Sequence, residues 1–592
     1  MKKEEKAKQK MKKREKNIFL NNWSITKMKK VTLAIIPVLL LALAFLLLSG
    51  PTTPSGTEGL VLNSENCTVI MVGKKASADG STMTTHAADC GICDWTWRYV
   101  PPADHKPGET RKIYRISQMR TWPPAQGLKW DLIKKDFTGV DIPEVPHTFG
   151  YMHGVFGYMN DQQLAIGEST IGNRPKMSNP TQTPALNITM LTLLAMERCR
   201  TAREAIKLMG SLAEKYGYGG EDGGEMLAVA DPNEVWVFEI MPVGPLWTPQ
   251  SGKPGAVWCA QRVPDDQVSV CPNESRIGEI DLNKPDYFMA SPNVISYAVE
   301  NGFWDPKSGQ PFSWKKAYCP AEGSAKDNPR RARMWRYFDL VAPSAKFSPS
   351  LPNMDFPFSV KPDKTLSVKD VMNLTRDKGY GTFFDPTRGI IGGPYKNPNY
   401  DASARLISVK QVEYTTVTQC RDWLPAPIGG IVWLAWGPQD TACYMPFYAG
   451  VKAFPASFSI GDHWVFNRQS ARWAFDYVDF HTQVAYSVAI EEVKKAQEKW
   501  EDGAIQQIAE IDRQALELYK KNPKKASEFL TAFSLNNAEN VVKAWWQLGD
   551  DLLVKLNHLS YYNTERRTVD RRKMDTPEIW KKAVRIIEAL FE

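Results

Sequence analysis

The order of elements along this chain predicts an α+β fold. Short apolar, β-branched runs begin at residue 68, two helical segments follow near residues 186–206, and strand-like runs resume at 226. After about Asp462 the chain turns Lys/Glu-rich with apolar residues at helical spacing, which adds a helical C-terminal segment.

Thr68 to Val72 forms the first predicted strand, an apolar run that starts just after Cys67. Ala78-Asp79-Gly80 supplies a turn, because Gly accepts the positive φ that tight hairpins demand. Ser81 to His86, rich in Thr, is the return strand. With the turn centred near Ser77-Ala78, Cys67 falls opposite Ala88, and its thiol becomes a cross-strand neighbour of Asp89. Local geometry alone thus pairs a nucleophile-type side chain with a carboxylate.

Tyr99 to Thr148 is Pro-rich and is expected to be irregular surface elaboration. Residues 157–170 form a strand, a turn and a second strand. Leu186 to Arg200 repeats apolar residues every three or four positions and is helical. Thr201 with Glu204 three residues on is a capping box that opens a second helix. Met226 to Ile240 is a hairpin around Asp231-Pro232-Asn233-Glu234, and Val257 to Val270 a strand pair around Pro264-Asp265-Asp266. Ser367 caps a helix that runs to Arg376. Leu406 to Thr418 and Ile431 to Trp436 are further strands, and 484–518 and 526–556 are helical.

Charge is unevenly placed. The chain of 592 residues carries a net +8, but residues 1–30 alone hold 12 Lys/Arg against 3 Glu, so the remaining body is close to neutral. No basic patch with interleaved aromatics is left in that body, which argues against a nucleic-acid partner. Val31 to Leu48 is a charge-free, apolar run just long enough to cross a bilayer, with Lys27, Lys29 and Lys30 before it. Read from Met28 it is a secretory signal peptide; read from Met1 it is a signal anchor behind a basic cytoplasmic tail. Either reading exports the chain beyond Gly50, to the periplasm, the cell surface or the medium. Residues 50–66, rich in Pro, Ser, Thr and Gly, are a linker or propeptide.

Nine cysteines are an odd number, which in an exported protein leaves a thiol over and suits Cys67 as a nucleophile. Cys90-Gly91-Ile92-Cys93 stands alone as a C-x-x-C, read as a local disulfide or two packed thiols ahead of a metal site. The seven His are scattered and no H-E-x-x-H occurs, so neither a metal nor an organic cofactor is expected.

Cys67-Thr68 followed by Val72-Gly73-Lys74-Lys75-Ala76-Ser77-Ala78-Asp79-Gly80-Ser81-Thr82 resembles the start of a mature C69-family dipeptidase. These are N-terminal-nucleophile (Ntn) hydrolases related to penicillin V acylase and bile salt hydrolase. The resemblance continues through Met226–Ile240, Val257–Val270, Phe358–Asp370, Gln419–Gly437 and Tyr444–Gly450, about two-thirds of the chain. It implies a four-layer αββα sandwich over residues 67–462, with 463–592 as an added, mainly helical region. It also implies hydrolysis of dipeptides or small peptides by Cys67, whose own α-amine acts as base. An amide nitrogen has no basic lone pair, so the Asn66–Cys67 bond must be cut, autocatalytically or by a protease.

In the resembled family a carboxylate at the position of Asp89 holds the nucleophile's amine. Asn160 matches an Asn whose amide donates to the tetrahedral oxyanion, and Asn273 a second Asn near the nucleophile. Related acylases carry Arg where this chain has His86, so charge at that position is not assured. A dipeptide's carboxylate calls for a cation, with Arg262, Arg405 and Arg421 as candidates. Two other readings remain: an N-acyl amide hydrolase of the bile salt or penicillin V acylase type, and an inactive, membrane-anchored surface protein that kept the fold.

Overall fold

A computed structural model describes residues 67–591 apart from 92, 117–135, 155–157, 180, 182, 220–222, 321–331, 389, 401–403 and 571–577. The apolar run at 31–48 and the cleavage point at Asn66 lie outside the described residues. Among the described residues no helix is long and apolar enough to cross a membrane.

The strands, in chain order, are β1 (Val69–Val72), β2 (Thr82–Ala87), β3 (Arg98–Val100), β4 (Ala103–Asp104), β5 (Thr110–Tyr114), β6 (Phe137–Pro143), β7 (His147–Thr148), β8 (Tyr151–His153), β9 (Met159–Asn160), β10 (Ala165–Ile171), β11 (Gly224–Ala230), β12 (Val235–Met241), β13 (Val257–Val263), β14 (Val268–Cys271), β15 (Phe288–Ala290), β16 (Tyr414–Cys420), β17 (Ile431–Trp436), β18 (Met445–Tyr448), β19 (Tyr561–Asn563) and β20 (Thr568–Asp570). Six of them form one sheet in the order β14-β1-β2-β16-β17-β18, and eight form a second in the order β15-β13-β12-β11-β10-β9-β8-β3. The pairings within both sheets are antiparallel. The α+β class follows.

The two sheets face each other where β2 meets β10, β11 and β12. Two helices, α1 (Ile188–Arg198) and α2 (Ala202–Tyr216), pack against the eight-stranded sheet. Against the six-stranded sheet lie α3 (Ala332–Val341), α4 (Val368–Thr375), α5 (Ala471–Val484) and the long α8 (Pro523–Lys555), the last reached through α6 (Tyr486–Gln497) and α7 (Gly503–Lys521). Strands covered on both faces need continuous apolar runs rather than alternation, and β1, β11, β12 and β17 are buried at every position. The capping boxes read at Thr201/Glu204 and Ser367/Asp370 are both formed.

Three expectations are corrected and one is refined. The stretch 99–148 is not wholly irregular, since β4 pairs β7 and β5 pairs β6 as two-stranded ribbons. The strand expected from Leu406 begins only at Tyr414. Residues 484–518 are helical as expected, with Ala485 separating α5 from α6 and a π-helical turn at Glu498–Asp502 preceding α7. The pair β13 and β14 is not a hairpin, because the Pro264–Gln267 turn hands the chain from one sheet to the other, β13 pairing β12 and β14 pairing β1. Gly73 makes that crossing possible: a methyl at its Cα would collide with the carbonyl oxygens of Pro264 and Asp265.

Candidate active site

The hairpin forms in the expected register. Met71 pairs Thr84, Val72 pairs Met83, and a bridge joins Thr68 to Ala87, which puts Cys67 opposite Ala88 and beside Asp89. Cys67 is buried at 3% exposure and keeps its thiol. Cys90 and Cys93 are joined as a disulfide.

The second sheet completes the site. Strand β10 carries the fully buried Glu168, whose Oε2 accepts from Cys67 Sγ at 3.2 Å and whose Oε1 accepts from Thr170 Oγ1 at 3.0 Å. Gly167 precedes it with its Cα against the Thr85 carbonyl of β2, so closely that any side chain would collide. The two sheets therefore touch at this point, and Glu168 is delivered to a residue 101 positions earlier.

His86 lies beneath the pair. Its Nδ1 is 2.9 Å from the Glu168 carbonyl oxygen and 3.2 Å from the Glu168 backbone nitrogen, and 3.9 Å from Oε2 of that carboxylate. The rings of Tyr158 and Tyr414 pack against it. Burial pushes its pKa down to about 4, outweighing the backbone contact to Glu168. The imidazole is thus neutral at physiological pH. Cys67 Sγ, His86 and Glu168 place one ligand-type atom each within 4.8 Å of one another, the one such group found among the described residues. A thiolate, an imidazole and a carboxylate are ligands that zinc accepts.

Asp89 is buried at 3% exposure. Its Oδ2 pairs with the Arg405 guanidinium, while Oδ1 has no hydrogen-bond partner among the described residues. Burial lifts its pKa to about 6, against the pull of Arg405, Arg333 and Lys378. Arg405, one of three cations proposed for substrate, is at the site. The other two are structural: Arg262 pairs with Glu234 and Asp265, and Arg421 is buried against Asp512 and the carbonyls of Ile428 and Gly429.

Arg333, at the start of α3, carries no sequence signal that marks it for the site. Its guanidinium donates to the Cys67 carbonyl at 2.7 Å, Thr68 Oγ1 at 2.9 Å, the Pro272 carbonyl at 2.8 Å and Asn273 Oδ1 at 3.0 Å. Burial, with the neighbouring charge of Arg405, lowers its pKa to about 9. Asn273 is thereby tied to Cys67. It sits at φ 64°, a conformation Asn tolerates, and gives its own amide to the Thr170 carbonyl at 2.9 Å.

Asn160 is placed elsewhere. Its amide donates to the carbonyls of Met196 and Cys199 at the end of α1, and its oxygen accepts from the backbone nitrogens of Gln162 and Leu164. That is the geometry of a turn clamp rather than of an oxyanion donor. Glu168 does carry a signal in the sequence that could have flagged it: a lone carboxylate inside an otherwise uncharged strand.

The model of peptidase family C69 matches residues 66–499, well over half of the chain. A probable dipeptidase from Salmonella dublin is 27% identical over 395 residues, covering 66% of this chain and 82% of its own. Dipeptidase A from Lactobacillus helveticus is 25% identical over 67% of this chain and 78% of its own length. Probable dipeptidase B from Streptococcus pyogenes serotype M1 is 24% identical over 81% and 90%. The match begins one residue before Cys67, whose thiol donates to Glu168 and whose carbonyl accepts from Arg333, and it runs on through both of those partners: this chain belongs to peptidase family C69 and is a cysteine-type peptidase.

Proposed function

We propose that the protein is an exported dipeptidase of the Ntn type, with Cys67 as its nucleophile and N-terminal residue once residues 1–66 are removed. The observation that carries the reading is the placement of Cys67. It lies between the sheets, its carbonyl is clamped by Arg333, and the open oxygen of Asp89 belongs to the residue after its cross-strand partner. The contacts from helix to sheet, sheet to sheet and sheet to helix support a four-layer αββα sandwich as its scaffold. The relatives named as dipeptidases support the substrate class.

In this mechanism the α-amine, with an ordinary pKa near 7.7–8.0, takes the thiol proton as Sγ attacks the scissile carbonyl. The tetrahedral oxyanion collapses as the amine returns that proton to the leaving amino group. Water then hydrolyses the thioester and restores the thiol. Asp89 holds the amine, and Asn273 is the site amide closest in linkage to the nucleophile. Export follows from the apolar run at 31–48, and cleavage before Cys67 frees the body from it.

N-terminal sequencing of active protein tests the proposal. The first residue is Cys67; an active form that still carries Asn66 overturns it. A panel of dipeptides against N-acyl amino acids separates dipeptidase from acylase activity.

A further inference from the structure

We propose that the Cys90–Cys93 disulfide is a positioning element for Asp89, so that turnover falls when the bridge is opened. This inference rests on the assignment of Asp89 as the group that holds the Cys67 amine. Asp89 stands between a sheet and a loop. Just before it, the Ala88 nitrogen donates to the Tyr414 carbonyl at 3.0 Å and the Ala88 carbonyl accepts from the Glu413 nitrogen at 2.9 Å. Beyond Ala88 the described backbone belongs to no helix or strand until β3 begins at Arg98. Cys90, the residue after Asp89, is half-buried and Gly91 is exposed, the Gly91 nitrogen donating to the Gln411 carbonyl at 3.2 Å.

The far side of the bridge is anchored in the core. Cys93 is buried and leads into Asp94, Trp95 and Trp97, all of them fully buried. Asp94 Oδ1 accepts from the Thr96 backbone nitrogen at 2.9 Å and from Thr96 Oγ1 at 2.7 Å, and the Trp95 ring meets Trp436 of β17 edge-on. The bridge, with its Cα atoms 5.8 Å apart, therefore fastens the residue after Asp89 to a segment that cannot shift without disturbing the core. What it fixes is the backbone from which the Asp89 carboxylate reaches Arg405. A sequence separation of three closes a short loop, which restrains the unfolded chain less than a long one would. Its effect is accordingly local to Asp89.

The test uses purified, processed protein assayed on a dipeptide before and after treatment with dithiothreitol. One thiolate of the reagent attacks a bridge sulfur and its second thiol displaces the mixed disulfide, leaving two protein thiols and the cyclic disulfide of the reagent. Cys67 and the other six unbridged cysteines are already thiols and are not altered. Wild type should lose about 10-fold in kcat/KM, part of the roughly 100-fold that a 1 Å misplacement can cost. The double variant Cys90→Ala, Cys93→Ala should start at the lower rate and ignore dithiothreitol. In both, the acid limb of kcat/KM against pH, set by the amine, should move down by about one unit, because an ammonium that loses its carboxylate partner releases its proton more readily. Asp89→Asn should show the same shift, and reduction should move that variant no further. Undiminished turnover in the double variant would overturn the proposal. So would a lower rate with the acid limb unmoved, which would assign the bridge to the fold at large. An Asp89→Asn variant with the rate and acid limb of wild type would instead refute the underlying role of Asp89, and the proposal with it.

Discussion

His86→Gln isolates the protonation state on which the site's electrostatics rest. The folded imidazole has its pKa lowered to about 4 from the ordinary 6.5, chiefly by burial. Between those values the unfolded chain binds a proton that the folded chain refuses, so His86 removes stability as pH falls through this window. The full loss, reached below pH 4, is about 3 kcal/mol from a shift of roughly 2.5 units at 1.36 kcal/mol each. At pH 5 about 2 kcal/mol is already lost, and at pH 7.5 almost none. Gln carries no charge at any pH and can still bond the Glu168 backbone. Burial raises Asp89 and Asp476 to about 6 and Asp479 to about 7, and these act in the opposite sense, since raised carboxyls lose stability as pH rises. The absolute pH profile therefore mixes both signs, and only the difference between variant and wild type reports His86. Urea unfolding of both proteins at pH 7.5 and pH 5 should show the variant gaining about 2 kcal/mol on wild type at the lower pH. A difference that stays flat would refute the buried neutral imidazole. A wild type that gains on the variant at pH 5 would mean an imidazolium paired with Glu168.

Other substitutions separate structure from chemistry. Arg333→Met strips the donor from four acceptors, three of them buried; it should lower kcat by about 100-fold and stability by about 3 kcal/mol or more, with Arg333→Lys a poor rescue because an ammonium cannot reproduce the fork, as steady-state kinetics and thermal melts would show. Asn160→Ala should cost about 2–4 kcal/mol in chemical denaturation, yet leave kcat of the folded protein within a few-fold; a loss of kcat without loss of stability would restore it as an oxyanion donor. Gly167→Ala should push β10 off β2, destabilise by about 1–3 kcal/mol and reduce turnover by separating Glu168 from Cys67, measured by melting temperature and kcat/KM.

What the sequence made legible was local. The Cys67–Asp89 relation needs only a hairpin and its turn, so counting residues sufficed. The capping boxes at Thr201 and Ser367 are equally short-range. Glu168 and Arg333 reach Cys67 from 101 and 266 residues away, and no periodicity reports which strand of one sheet will face which strand of another. Arg333 was further hidden in Arg330-Arg331-Ala332-Arg333, a basic run that has the composition of a solvated face, yet α3 buries Arg333. Asn160 misled because its turn and an oxyanion donor ask for the same residue type, and only the location of the end of α1 decides between them. The parting of β13 from β14 is a choice between sheets that a Pro-Asp-Asp turn leaves open.

The grip of Arg333 on Cys67 bears on what happens when a polypeptide is cut there. New chain ends ordinarily fray, and a frayed nucleophile would have to be recaptured at each turnover. Here the Cys67 carbonyl and the Thr68 hydroxyl are both moored to a helix residue 265 positions downstream of Thr68. Scission would then liberate an amine without liberating the residue that bears it, so the entropy of positioning is settled during folding rather than during catalysis.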